Sequence, residues 1–404
     1  MGFRYRLTTS VTAIVVFAGL TGTGYAATPE EFTAALTKLV QSAPKGGSIT
    51  LGTPTEQDGA IVYKDVVLKM DKDESKIATL TVTGGDVGAD GAVSAETMLA
   101  EGVSGKSENN TYEIESFELD NAVFTGKETG NKVDSVAIQG ITSTETGKPA
   151  TKIDSISLDL SDYANDVPHG VDLAIEGVQI DPAIAGGEGD ATAQQLKAMG
   201  YDKLSLNFYG TGSLDQDSGD LSIDELTVSG DDMGSVTLTG VLGGFSPDVL
   251  KQLAQPNPPP EIATKVTLKE AALSYYDSSL AGRVISMQAK AANQEPAAFV
   301  DQITGALPLL LTVVGNQGFQ DKLAAGATTF LKDPKNITIS VAPATPISLM
   351  DVFMKAQTEP QALPDTLKAD VVANQPEDDG DEDSGTDGGD AGTEGGDAGT
   401  APAK

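Results

Sequence analysis

Ile114-Glu115-Ser116-Phe117-Glu118-Leu119 sets the pattern that decides the fold: apolar, two polar, apolar, any residue, apolar. It returns as Val133-Asp134-Ser135-Val136-Ala137-Ile138, as Ile153-Asp154-Ser155-Ile156-Ser157-Leu158 and as Ile223-Asp224-Glu225-Leu226-Thr227-Val228. Strand side chains alternate between faces, so two adjacent polar residues between apolar ones slip the alternation by one position. A β-bulge absorbs such a slip while bending and twisting the strand. The repetition predicts a mainly β protein with helices, of the α+β class, built on a curved, bulged antiparallel sheet.

The text on either side of these copies agrees. Tyr112/Ile114, Ile156/Leu158/Leu160, Val171/Leu173/Ile175 and Leu204/Leu206/Phe208 alternate with polar residues, so one face of the sheet is buried and the other wet. Turn formers separate the runs: Gly84-Gly85, Thr129-Gly130-Asn131 and Asp217-Ser218-Gly219-Asp220. Ahead of them Thr28-Pro29-Glu30-Glu31 opens a helix, with Thr as N-cap, Pro at the first position and Glu31 closing a capping box. Phe32, Leu36, Leu39 and Val40 share one face of it, and Pro44 with Gly46-Gly47 ends it. A short helix interrupts the strands at Thr192 to Met199. Leu80 to Gly88 matches Leu226 to Gly234 at most positions. Either the body is a duplicated β unit, which gives two packed β domains as the second fold reading, or similar strands have converged on similar turns.

The character changes after Ser246. Pro247 to Ala254 reads as a short helix, Asn257 to Pro260 as a stiff connector, and Thr264 to Tyr275 as one more strand. Helical text follows to Leu331, broken into two arms at Gly315 to Gly318, and Asn336 to Val341 returns as a strand. Ile303, Leu307, Leu310 and Val314 form one stripe of the first arm and are the candidate ligand-binding residues. The run from Ala306 to Val314 is apolar nearly all round, so it is expected to be buried in the core or to face an apolar ligand. The expected organisation is a signal peptide over 1–26, a mainly β region over 27–245, a strand-plus-helical-hairpin region over 246–374 that packs on the sheet, and an acidic low-complexity tail over 375–404. The tail repeats Gly-Gly-Asp-Ala-Gly-Thr and cannot bury enough apolar surface to order itself.

Arg4 and Arg6, the apolar run Val11 to Leu20 and the small residues of Gly24-Tyr25-Ala26 stand in the order of a secretory signal cleaved after Ala26. The run is shorter than the roughly 20 residues of a membrane span, so export to the periplasm, or secretion, is expected, with no transmembrane segment left after cleavage. With no Cys there is neither a disulfide framework nor a lipid-anchoring cysteine, and burial alone must hold the fold. The formal net charge is −33, and the last thirty residues hold ten acids against one base, so most of the charge lies on the body. Such a surface repels polyphosphate and anionic headgroups, which excludes nucleic acid as a partner. Trp is absent and aromatics are 5%, which argues against a sugar-binding platform.

Motifs for chemistry are weak. Ala100 to Ser107 fits a loose phosphate-loop spacing, but the text leads into a strand where that loop needs a helix. Ser42-Ala43-Pro44-Lys45 has the spacing of penicillin-recognising serine enzymes without their companion motifs. His169 is the single histidine, so neither a histidine zinc site nor a Ser-His-Asp triad assembles, and beside Pro168 it reads as a turn residue. Asp379, Asp381, Asp383, Asp387 and Asp390 follow a calcium-loop spacing, but lack its turn Gly and final Glu. No enzyme, cofactor or metal is expected.

At the Ile-Asp-Ser-Ile-x-Leu strands and the hairpin Leu204 to Leu242, the chain resembles the AsmA-like and YdgA-like envelope proteins of Gram-negative bacteria. That resemblance implies a long curved sheet holding lipid tails in a groove, and it transfers no functional residue. The expectation is a non-enzymatic periplasmic envelope protein that binds lipid acyl chains between sheet and helices. The partner expected is lipid or another envelope protein, and the alternative function is that of an extracytoplasmic acidic interaction protein binding cations or a basic partner.

Overall fold

The computed structural model describes residues 27–42, 47–70, 73–107, 109–126, 130–164, 167–182, 191–253, 255 and 257–376. The signal peptide, the Pro44 and Lys45 positions, and the calcium-loop spacing and repeats of the tail lie outside the described residues.

The first half runs α1 (Pro29–Gln41), β1 (Gly47–Thr50), β2 (Thr55–Gln57), β3 (Ala60–Met70), β4 (Asp73–Thr83), β5 (Asp86–Val87), β6 (Val93–Ser107), β7 (Asn110–Phe124), β8 (Ser135–Glu145), β9 (Thr151–Ser161) and β10 (Gly170–Ile180). After α2 (Ala191–Ala198) come β11 (Leu204–Asp215), β12 (Asp220–Gly230), β13 (Gly234–Gly243), α3 (Pro247–Leu253), α4 (Ile262–Lys265) and β14 (Thr267–Asp277). The end of the chain adds α5 (Leu280–Ala291), α6 (Pro296–Leu310), a 3₁₀ turn (Leu311–Val314), α7 (Gln317–Lys332), β15 (Asn336–Val341), β16 (Ile347–Ser348), α8 (Leu349–Thr358), α9 (Leu363–Leu367) and β17 (Asp370–Ala373).

All seventeen described strands belong to one sheet, and every pairing is antiparallel. From β6 to β15 each strand pairs with the next in sequence. The sheet is not closed. It passes through residue 246 unbroken, because β13 pairs with β14, and both copies of the Leu80/Leu226 repeat lie in it. The second reading, two packed β domains, is therefore not the fold of this chain.

At the Ile114 and Ile153 copies the two-polar pattern marks a crease rather than a bulge, whereas the Ile223 copy falls on the expected bulge, between Ile223 and Leu226 of β12. Between β3 and β4 the pairing steps from Lys64/Thr79 to Val66/Ile77, and between β4 and β6 from Thr79/Glu101 to Ile77/Val103. The same height is skipped between β6 and β7 at Gly102/Glu115 and between β8 and β9 at Gly140/Asp154. Both strands skip equally, so the register survives, and the apolar residues on both sides of the crease face one core. Asp65, Gly102, Gly140 and Gly177 sit at the crease in β3, β6, β8 and β10 with φ between 54° and 64°. These four strands run in one direction, and a left-handed residue at the second polar position turns the next side chain back to the apolar face. True one-residue bulges occur further on, at β10–β11, β11–β12, β12–β13 and β13–β14.

Helix α1 forms where the capping box places it: the Glu31 backbone N–H donates to the Thr28 hydroxyl, and the Glu31 carboxylate accepts from the Thr28 backbone N–H at 3.0 Å. Phe32, Leu36 and Leu39 join one buried cluster with Tyr63, Val82, Met98, Phe117 and Ile138. Each such large side chain contributes about 1.5–3 kcal/mol by leaving water. Tyr63, fully buried, keeps a partner by bonding its hydroxyl to that of Thr33 at 2.8 Å.

The helical text holds with two adjustments. Residues 262–265 form a helical turn, so the strand expected from Thr264 begins at Thr267. The segment from Leu280 is three helices rather than two arms, because Asn293 takes a left-handed φ and Pro296 starts a new helix.

A candidate apolar groove on the open half of the sheet

Residues directly opposite in an antiparallel pair share a face. Following the register across the sheet gives one continuous apolar row: Tyr63, Leu80, Ala100, Phe117, Ile138, Ile156, Ile175, Phe208, Val228, Val236, Tyr275, Ile337. A second runs beside it: Ile61, Val82, Met98, Leu119, Val136, Leu158, Leu173, Gly210, Leu226, Leu238, Leu273, Ile339, Val371.

The two halves of these rows differ in cover. Through β8 every member is buried. Helix α1 packs on β1, β5 and β6, and α7 packs on β15 and β17 at the far end. There Gly326 lies against Val371, and Phe330 meets the Tyr275 ring edge-on at 5.9 Å. Between these covers Leu226, Val228, Val236, Leu273 and Ile339 are 40 to 50% exposed, although they stand on the same face as the core of the first half. Beyond Phe208, Gly210 and Gly212 leave the β11 part of this face without side chains, and the Leu226 side chain stands beside the space a β-carbon on Gly210 would take. The C-terminal helices therefore cover only the last strands of the sheet.

The opposite face is polar. Thr227 and Thr237 bond hydroxyl to hydroxyl at 2.8 Å, Ser274 and Thr338 at 2.9 Å, and the Tyr209 hydroxyl donates to Glu176. Burial first, then Glu176, raises the Tyr209 phenol above its ordinary value. One end of the open face is clamped at the β12–β13 turn. The Tyr201 and Ser279 hydroxyls donate to the Asp232 carbonyl. The Tyr275 hydroxyl donates to the Met233 carbonyl and the Asp277 carboxylate, and burial first, then Asp277, pushes that phenol strongly up. Arg283 stacks on Tyr201 and donates to the Met199 carbonyl.

The residues singled out in the sequence fall elsewhere. Ile303 and Leu307 are half-buried on α6, which packs against α5 and α7. Val314 is half-buried at the end of the 3₁₀ turn, and Leu310 is 61% exposed. Burial of Ala306 to Val314 in the core is contradicted: Leu309 is 76% and Val313 88% exposed. Here α6, with Pro308 in its last turn, tightens into the 3₁₀ turn Leu311–Val314. One described helical segment, Pro296–Val314, is long and apolar enough to cross a membrane by length and composition.

Ala100 to Ser107 lies inside β6, with Gly102 at the crease and Gly105 under the Tyr112 ring, and a hairpin follows it. His169 stands at the turn into β10 and donates from Nδ1 to the Leu214 carbonyl at 3.1 Å. Among the described residues no three of His, Cys, Asp and Glu are grouped to hold a metal ion.

A protein-family model described as "Uncharacterized protein" matches residues 227–374, from within β12 to just past β17. No curated protein matches the chain.

Proposed function

We propose that the chain is an exported, non-enzymatic envelope protein that holds lipid acyl chains on the open half of its apolar sheet face. The observation that carries this reading is the continuity of the two rows. One face is core under α1 and then continues as Leu226, Val228, Val236, Leu273 and Ile339 without cover. A monomeric protein seldom leaves a contiguous apolar patch open unless something binds there. The exposed members of the rows, Leu226, Val228, Val236, Leu273 and Ile339, are all aliphatic, which suits a methylene chain better than a polar ligand. The signal-like N-terminus supports the compartment.

Mass spectrometry of the natively purified protein tests the reading. Phospholipid or fatty acid is expected in the wild type and is lost in a Leu226→Asp, Leu273→Asp variant that keeps its circular dichroism. A wild type empty of lipid, with no uptake from added fatty acid, overturns it and favours an acidic interaction protein.

A further inference from the structure

The helix pair α6–α7 carries a second apolar feature that the sheet does not explain. Leu309, Leu310 and Val313 stand 76, 61 and 88% exposed where α6 passes into its 3₁₀ turn. From Gln302 to Gln320 no residue carries a charge, in a chain that is 21% charged. The backbone of this tip already holds its own bonds. The Leu311 N–H donates to the Leu307 carbonyl, the Thr312 hydroxyl to the Leu309 carbonyl at 2.7 Å, and the Gly315 N–H to the Thr312 carbonyl. A tip satisfied in this way can enter an apolar medium without stranding these polar groups. Its base is fixed, since Val300 is buried and the Asn316 side chain donates to the Gln361 carbonyl and the Asp365 carboxylate.

We propose that this tip docks the protein on a zwitterionic lipid bilayer, with Leu309, Leu310 and Val313 inserted among the lipids. Charge and area select that occupant. A second copy would bring another net charge of −33 against the first, and an anionic bilayer would be repelled in the same way. Three aliphatic side chains offer at most a few hundred Å², against about 800 Å² per partner in a stable protein interface. The tip also lacks the Trp, Tyr and Arg that dominate such interfaces. A bilayer needs neither a large footprint nor specific anchors, because affinity follows the apolar area inserted. The helix stays part of the fold, half-buried through Ile303 and Leu307, so the tip inserts without the segment spanning.

The test is flotation of the purified chain with phosphatidylcholine and phosphatidylethanolamine vesicles. The wild type is expected to float. The triple variant Leu309→Ser, Leu310→Ser, Val313→Ser should lose at least tenfold in bound fraction. Replacing part of the lipid with phosphatidylglycerol at low salt should weaken wild-type binding. Should the triple variant misfold, Val313→Asp alone, at the most exposed of the three, must still reduce flotation. A wild type that stays with the unbound fraction, a folded variant that floats equally, or a dimer seen by light scattering that the triple variant abolishes would overturn the proposal. Lipid held in the groove is read separately: tip variants keep it on purification, and Leu226→Asp, Leu273→Asp variants still float.

Discussion

The Glu115 side chain lies across the α-carbon of Gly140 on the neighbouring strand, in the space a β-carbon would fill. Gly140 has φ +64°, so two requirements meet at one residue: a left-handed backbone and room for the side chain opposite. Gly177 repeats the arrangement against Asp154. Gly140→Val is expected to destabilise by about 2–3 kcal/mol through strain and displacement of Glu115. Urea unfolding checks it; a cost near zero would mean the crease tolerates an ordinary residue.

The same face should respond differently on its two halves. Phe117 is buried in the main cluster, and Phe117→Ala is expected to cost about 3–5 kcal/mol. Leu273 stands on that face under no helix, and Leu273→Ala should cost less than about 1 kcal/mol in the lipid-free protein. Denaturation of the two variants side by side measures the contrast. Equal losses would show that the open half is covered in solution.

The capping box of α1 makes a pH-dependent prediction. The Thr28 backbone N–H, followed by its hydroxyl, holds the Glu31 carboxyl below its ordinary value. A lowered folded value gives stability that is present above the ordinary carboxylate range and lost as pH falls through the lowered value. Thr28→Ala should cost about 1 kcal/mol near neutral pH. Its difference from wild type should shrink as pH falls through that lowered value, where protonated Glu31 is a weaker acceptor. Thermal melts across that range decide it, and a constant difference would show that the box is not formed.

Gly305 sits in the middle of α6 with open space where a β-carbon would go. Gly305→Ala is expected to stabilise by about 0.5–1 kcal/mol, since Ala loses less backbone freedom on entering a helix. A loss of stability would place a neighbour against that face of α6.

The strands, α1 with its cap and the antiparallel sheet were legible because each rests on local rules. Ile153-Asp154-Ser155-Ile156 must break its alternation somewhere, and Thr28 with Glu31 caps any helix that follows. The crease was legible in part. A slip at the two polar residues was visible, but an isolated strand does not say whether its partner slips too, and here the β3–β9 partners do. That is a property of register, which long-range pairing sets.

Cover was not legible. Ile138 and Leu226 carry the same alternation and stand on the same face, yet one is core and the other half-exposed. What separates them is that Ile138 lies in the buried cluster that Phe32, Leu36 and Leu39 of α1 join, while α7 packs only on β15 and β17, and no periodicity encodes where a helix docks. For the same reason the apolar run to Val314 looked like core. Hydrophobicity determined that this segment avoids water where it can; only the packing of α6 on α7 decided that Leu309, Leu310 and Val313 would not.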